Sequence, residues 1–250
     1  MAVEVSTQRT ALITGATQGI GFGVATKLAA EGIQVAIVGR DESKVNRAAT
    51  EIKHQSGTNQ AVVPITGDVS SWNDCQKIAS TALAALGSID ILVPNAGIGV
   101  IGTVAEADPA DWAQMMEINY LGTAQMVKAV LPIMEEQGHG DVIAIVSAGG
   151  TKGYPEWSGY CATKWAVLGF MDGFAQEVIS KGIRVATLCP GGVDTPFWDT
   201  LNKEINRAGT ESRSQLMSAA DVAELVMLQV NLPRNVMLKS ALFFPTNEWH

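Results

Sequence analysis

Short apolar runs alternate with stretches of helical period from one end of this chain to the other, and that alternation constrains its fold most. The runs lie at 10–14, 34–38, 61–65, 90–93, 141–146, 184–188 and 237–244, and the helical patterns at 19–31, 41–55, 71–86, 110–136, 158–180 and 219–230. Alternating strands and helices predict an α/β protein, a doubly wound seven-stranded parallel sheet with helices on both faces. Strands covered on both faces read as unbroken apolar runs, as these do. With 250 residues, 47% of them hydrophobic, and no linker or repeat, one globular domain over 1–250 is expected.

Composition narrows the function. The net charge of −8 argues against nucleic acid, so any anion site must be built locally. No run of eighteen apolar residues suggests a membrane span, and the first ten residues do not resemble a signal peptide. The three cysteines, Cys75, Cys161 and Cys189, lack metal-ligand spacing, so no metal is expected. An odd cysteine count on a chain read as leaderless suggests a reducing compartment, hence the cytoplasm.

Open α/β sheets bind ligands where the strands end, and the strand ends here are distinctive. The first is followed by Gly15, Thr17, Gln18, Gly19, Ile20 and Gly21, spaced G-x-x-x-G-x-G. Such glycines let backbone approach a phosphate at a helix start, or simply let helix pack on sheet. The second ends Gly39-Arg40-Asp41. A carboxylate here would take the ribose 2′-hydroxyl of NAD, whereas arginine suits the 2′-phosphate of NADP. Arg40 therefore favours NADP(H) over NAD(H), unless it is a solvated loop cation, and Asp41 is expected to cap the next helix. After the third strand, Asp68 and Val69 are placed either against an adenine or, with Ser70, at a helix cap. After the fourth, Asn95, Ala96 and Gly97 either lie along a ribose or stabilise a turn. The sixth strand runs into Pro190, Gly191, Val193 and Thr195, an irregular turn whose backbone suits a nicotinamide amide. The segment 196–214 beyond it is a candidate substrate lid or a plain surface loop.

Tyr160 and Lys164 are four residues apart on an expected helix, hence on one face. An ammonium beside a phenol favours the phenolate. Bringing a tyrosine from about 10 towards neutrality is worth roughly 4 kcal/mol, and would make it a usable proton donor and acceptor. Ser147, at the end of the fifth run, presents its hydroxyl at the same sheet edge. Asn119 is a poor helix-interior residue; it either holds a water in a proton relay behind Lys164 or ties off a kink.

Together, Thr14-Gly-x-x-x-Gly-Ile-Gly21, Asp68, Asn95-Ala-Gly97, Asn119, Ser147, Tyr160-x-x-x-Lys164 and Pro190-Gly191 resemble the short-chain dehydrogenase/reductase family. They stand in that family's order and cover nearly the whole chain. The resemblance implies a Rossmann-like fold and an NADP(H)-dependent oxidoreductase reducing a ketone, keto acid or keto ester. Tyr160 would be the general acid/base, Ser147 the hydrogen bond to the substrate oxygen, Lys164 the holder of the ribose, and Asn119 the support of a water. It further implies a homodimer or homotetramer through helices 110–136 and 158–180. The substrate pocket is expected to draw on Gly99, Val100, residues 149–154, Trp157, Val193, Phe197 and Trp198, which suits an apolar arm. A 3-oxoacyl-[acyl-carrier-protein] reductase is disfavoured by Glu135, Glu136 and Glu177, which would repel an acidic carrier. An NAD-dependent alcohol oxidiser differs at Gly39-Arg40. A non-catalytic NADP-binding scaffold fits poorly with a retained Tyr160 and Lys164.

Overall fold

The computed structural model describes residues 8–201 and 215–247. Among them, seven strands make one sheet: β1 (Thr10–Thr14), β2 (Gln34–Gly39), β3 (Val62–Thr66), β4 (Ile91–Val93), β5 (Gly140–Ile145), β6 (Ile183–Pro190) and β7 (Ser240–Phe243). All pairings are parallel, in the order β3-β2-β1-β4-β5-β6-β7. The sheet is built outward in opposite directions from the β1/β4 junction. A crevice opens above the carboxyl ends of these two strands, since the crossovers leave there in opposite senses.

The helices are α1 (Gly19–Ala30), α2 (Glu42–Ser56), α3 (Trp72–Leu86), α4 (Pro109–Met115), α5 (Gly122–Gln137), α6 (Ser158–Val178) and α7 (Ala219–Asn231). Strand side chains alternate between the two faces. Ala11, Ile13, Ile143 and Ile145 pack with α1, α2 and α7, while Leu12, Val142 and Ala144 pack with α3, α5 and α6. The result is the expected Rossmann-like architecture. Among the described residues no helix is long and apolar enough to cross a membrane.

Three details depart from the sequence reading. The helix expected at 110–136 is broken by a π-helical turn, Met116–Leu121, between α4 and α5. Asn119 sits in that turn, 1% exposed, and Thr123 Oγ1 donates to its carbonyl at 2.8 Å. Pro132 is accommodated inside α5. The seventh strand is shorter than the expected 237–244, and the sixth runs on to Pro190.

At the amino edge of the sheet, Asp141 and Arg184, on adjacent strands, form a buried two-point ion pair at 2.6 and 2.9 Å. Arg184 also donates to the carbonyls of Gln229, Leu232, Pro233 and Val236, and Arg234 Nη1 reaches Asp141 at 3.0 Å. A buried pair is tolerated when its remaining polar atoms are satisfied. Here the network fastens the α7–β7 connection to the sheet, on the edge away from the crevice.

Candidate active site

The crevice is a cleft of about 1060 Å³. Its first half lies over β1, β2 and β3. Gly15 and Gly19 have φ of +63° and +61°, a region that disfavours side chains. A Cβ on Gly15 would lie 2.8 Å from Ala96 Cα, and one on Gly21 only 2.6 Å from the Gly15 carbonyl oxygen. Gly21 thus serves close packing beneath the turn and does not line the cleft, whereas Gly15, Thr17, Gln18, Gly19 and Ile20 do. Gln18 makes no side-chain cap on α1, while Asp41, Ser71, Asp108 and Ser218 cap α2, α3, α4 and α7. The first N–H groups of α1 are therefore not engaged by a cap and face the region where a phosphate suits them.

Arg40, Asp68 and Val69 line the same half. Asp41 Oδ1 accepts from Lys44 N at 3.0 Å, the expected cap, and that N–H holds its carboxyl below the usual carboxylate range. A Cβ at Gly39 would fall 2.5 Å from Thr17 Cγ2 and 2.7 Å from Val45 Cγ2, so a carboxylate cannot stand there without displacing both. Neither Asp68 nor Ser70 caps α3; Ser71 does. Asp68 is too far upstream, and its Oδ1 closes a local turn by accepting from Ser70 N at 2.9 Å and Ser70 Oγ at 2.8 Å. Asn95 Nδ2 donates to the carbonyls of Thr14 and Gly15 at 2.9 and 3.1 Å, while Thr14 Oγ1 accepts from Asn95 N and Ala96 N. Its turn-stabilising reading is met, and Asn95, Ala96 and Gly97 also line the cleft.

In the second half Ser147, Tyr160 and Lys164 come together. The Lys164 ammonium stands 5.7 Å from the Tyr160 ring centre, on the same face of α6. Gly149 packs beside the cluster: a Cβ there would be 3.4 Å from both Ser147 Oγ and Tyr160 Cε1, ordinary contact distance. Ser147 Oγ accepts from Gly149 N at 3.0 Å, which leaves its own proton to donate. Asn119 lies behind, outside the cleft wall. Its amide exchanges bonds with Ile98 N and O at 2.8 and 3.0 Å and donates to Thr163 Oγ1 at 3.0 Å; that hydroxyl donates in turn to the Tyr160 carbonyl at 2.7 Å. These bonds tie the π turn to Ile98 and to α6. A Cβ on Gly97 would sit 3.2 Å from Asn119 Oδ1 and 3.7 Å from Lys164 Nζ.

The expected acidification of Tyr160 is reversed in the protein alone. Burial pushes the phenol up to about 12, and the Ser147 hydroxyl favours the phenolate too weakly to offset it. The same burial pushes the Lys164 ammonium, 6% exposed, down to about 8. Desolvation is the largest cause in both groups.

Gly99, Val100, Gly149, Tyr154, Trp157, Val193, Phe197 and Trp198 line the substrate side as expected; residues 150–153 do not. The short helical turn Ala148–Gly150 carries them away, and Gly150 packs on the Lys164 backbone. Trp157 and Phe197 stack at 6.5 Å and 22°, with the Tyr160 ring 5.9 Å from Phe197. Pro190, Gly191, Val193 and Thr195 form the floor. From residue 202 the candidate lid lies outside the described residues. Sequence reasoning missed Thr14 and Thr163, both hydroxyls that join distant segments; each lies within or beside a quoted motif. It also missed the indole of Trp198 as a donor, to Val193 O at 2.8 Å.

The glycine cradle, the α1 terminus and the Lys164 ammonium fit a dinucleotide lying across both halves. Comparison with known proteins agrees. A family model described as short chain dehydrogenase matches residues 9–206. The chain is 36% identical over 197 residues to dehydrogenase/reductase SDR family member 4 of Mus musculus, covering 78% of this chain and 70% of that protein. The solved alcohol dehydrogenase of the archaeon Thermococcus sibiricus, complexed with 5-hydroxy-NADP, superposes with a TM-score of 0.86 at 26% identity, over 97% of this chain and 99% of that one. The 3-ketoacyl-(acyl-carrier-protein) reductase of Brucella melitensis, complexed with NADH, gives 0.83 at 26% identity, over 95% and 97%.

Proposed function

The chain belongs to the short-chain dehydrogenase family, and on that premise we propose that it is an NADPH-dependent carbonyl reductase acting on a ketone with an apolar arm. It is an oxidoreductase of CH–OH or carbonyl groups with a nicotinamide cofactor. The observation that carries the finer reading is a phenol, a hydroxyl with its own proton left to donate and a cation gathered in one cleft.

The nicotinamide, when bound, supplies the hydride. The rest is the work of side chains. Tyr160 Oη carries its proton throughout the physiological range, since burial pushes its pKa up to about 12. It gives that proton to the carbonyl oxygen as negative charge develops there. Ser147 donates its remaining hydrogen to the same oxygen. Lys164 holds the ribose and, charged below about 8, eases the loss of the Tyr160 proton. Asn119 holds Ile98 and, through Thr163, the first turn of α6, so Tyr160 is positioned from behind. A phenol that resists ionisation suits reduction better than oxidation, because the acid form is the one consumed.

Arg40 and the blocked space at Gly39 support NADPH over NADH. Self-association is part of this reading: Leu121 and Trp165, on the π turn and α6, are 43% and 52% exposed. Sedimentation is expected to give a dimer or tetramer, and a monomer at micromolar concentration would overturn that part.

Tyr160→Phe is the test of the chemistry. Turnover of an apolar ketone is expected to fall by at least about a thousandfold, with NADPH titrating normally. Wild-type turnover in the variant would sink the proposal.

A further inference from the structure

We propose that Trp198 is a positioning residue that ties the nicotinamide-facing turn to the aromatic wall of the substrate pocket. The inference rests on the functional reading above, with the turn of Pro190, Gly191, Val193 and Thr195 meeting the nicotinamide amide. The turn after β6 is tied at its start, where Gly191 N donates to Phe243 O at 2.8 Å. Met217 runs beside it, accepting from Asp194 N at 2.8 Å and donating to Gly192 O at 3.1 Å. Between those two anchors the Val193 carbonyl accepts from the Trp198 indole N–H at 2.8 Å, while the nearby Thr195 hydroxyl is a long 3.5 Å away.

The same indole has a second job. Its ring stands edge-on to Trp157 at 6.1 Å and 75°, and to Phe197 at 6.3 Å and 84°. Those two rings wall the pocket beside Tyr160. Trp198 is half-buried, and an indole withdrawn from water places its N–H on an acceptor. Because that acceptor is Val193, the ring cannot swing without releasing the turn, and the turn cannot shift without moving the wall. One side chain thereby couples the place of the nicotinamide to the place of the ketone.

Two variants separate these jobs. Trp198→Phe keeps a ring and removes the N–H. It is expected to weaken NADPH binding by about five- to tenfold, the value of one neutral hydrogen bond, and to leave adenosine 2′,5′-bisphosphate, which lacks the nicotinamide, within about twofold. Trp198→Leu is expected to add a rise of about tenfold in the KM of an apolar ketone, from loss of the ring. Equal weakening of both nucleotides in Trp198→Phe, tracking a fall in thermal midpoint, would mean a merely structural tryptophan and overturn the proposal. Unchanged NADPH binding would overturn it too, as would a level ketone KM in Trp198→Leu. If the wild-type protein binds NADPH yet reduces no ketone, the functional reading fails, while the two-nucleotide comparison still tests the Val193 tie.

Discussion

The two halves of the cleft are made in opposite ways. Over β1–β3 the shape comes from side chains that are missing: Gly15, Gly21 and Gly39 each sit where a single carbon would strike a neighbour. Over β5 and α6 it comes from side chains that are present and costly, a buried lysine and a half-buried phenol whose ionised form is disfavoured. The first half is a backbone mould for something added later. The second stores an electrostatic penalty where the reaction is run, as reactive groups with shifted titration do. Stability and function therefore pull together in one half and apart in the other.

The largest test of this contrast is Lys164→Met. The folded protein releases the lysine proton near pH 8, the unfolded chain near 10.5. Between those values the unfolded state holds more protons, so this group makes stability rise with pH. Below pH 8 its charge costs up to about 3 kcal/mol. The methionine variant is expected to be more stable at pH 7, to lose that rise between pH 8 and 10.5, and to be inactive; urea melts across the range check it. A less stable variant at pH 7 would break the contrast. Gly21→Ala tests the other half. The added carbon meets the Gly15 carbonyl, a backbone atom that cannot swing aside, so a loss of about 2 kcal/mol is expected, read by the same melts, with weakened cofactor binding. A neutral alanine would show the mould to be loose. Arg40→Ala sharpens the picture at the rim: the preference for NADPH over NADH in kcat/KM is expected to fall by about tenfold. An unchanged ratio would assign the choice to Gly39 alone.

Much of this was legible in the chain itself. Apolar period marks strands and helices because burial demands it, and glycines, Asp41 and the Tyr160–Lys164 spacing are local signals with local causes. What escaped was set at a distance. The π turn exists because Asn119 bonds Ile98 and Thr163, which lie 21 and 44 positions away. Spacing showed Lys164 beside Tyr160 but not the desolvation of the site, and so the phenol was expected to shift the other way. Asp141 and Arg184 looked like ordinary strand ends until the parallel register made them neighbours.

The π turn at Met116–Leu121 also decides what a change of length would cost. It holds one residue more than an α turn, so the helical segments on either side stay in phase. Excising that residue would let the run wind as ordinary α turns, with Met115, whose sulfur receives the Val100 N–H, and Trp112, set against Gly159, still facing as they do. What would go is the bulge that carries the Asn119 amide to Ile98 and Thr163. A deletion here would strike one side chain's bonds and spare the packing of the helix.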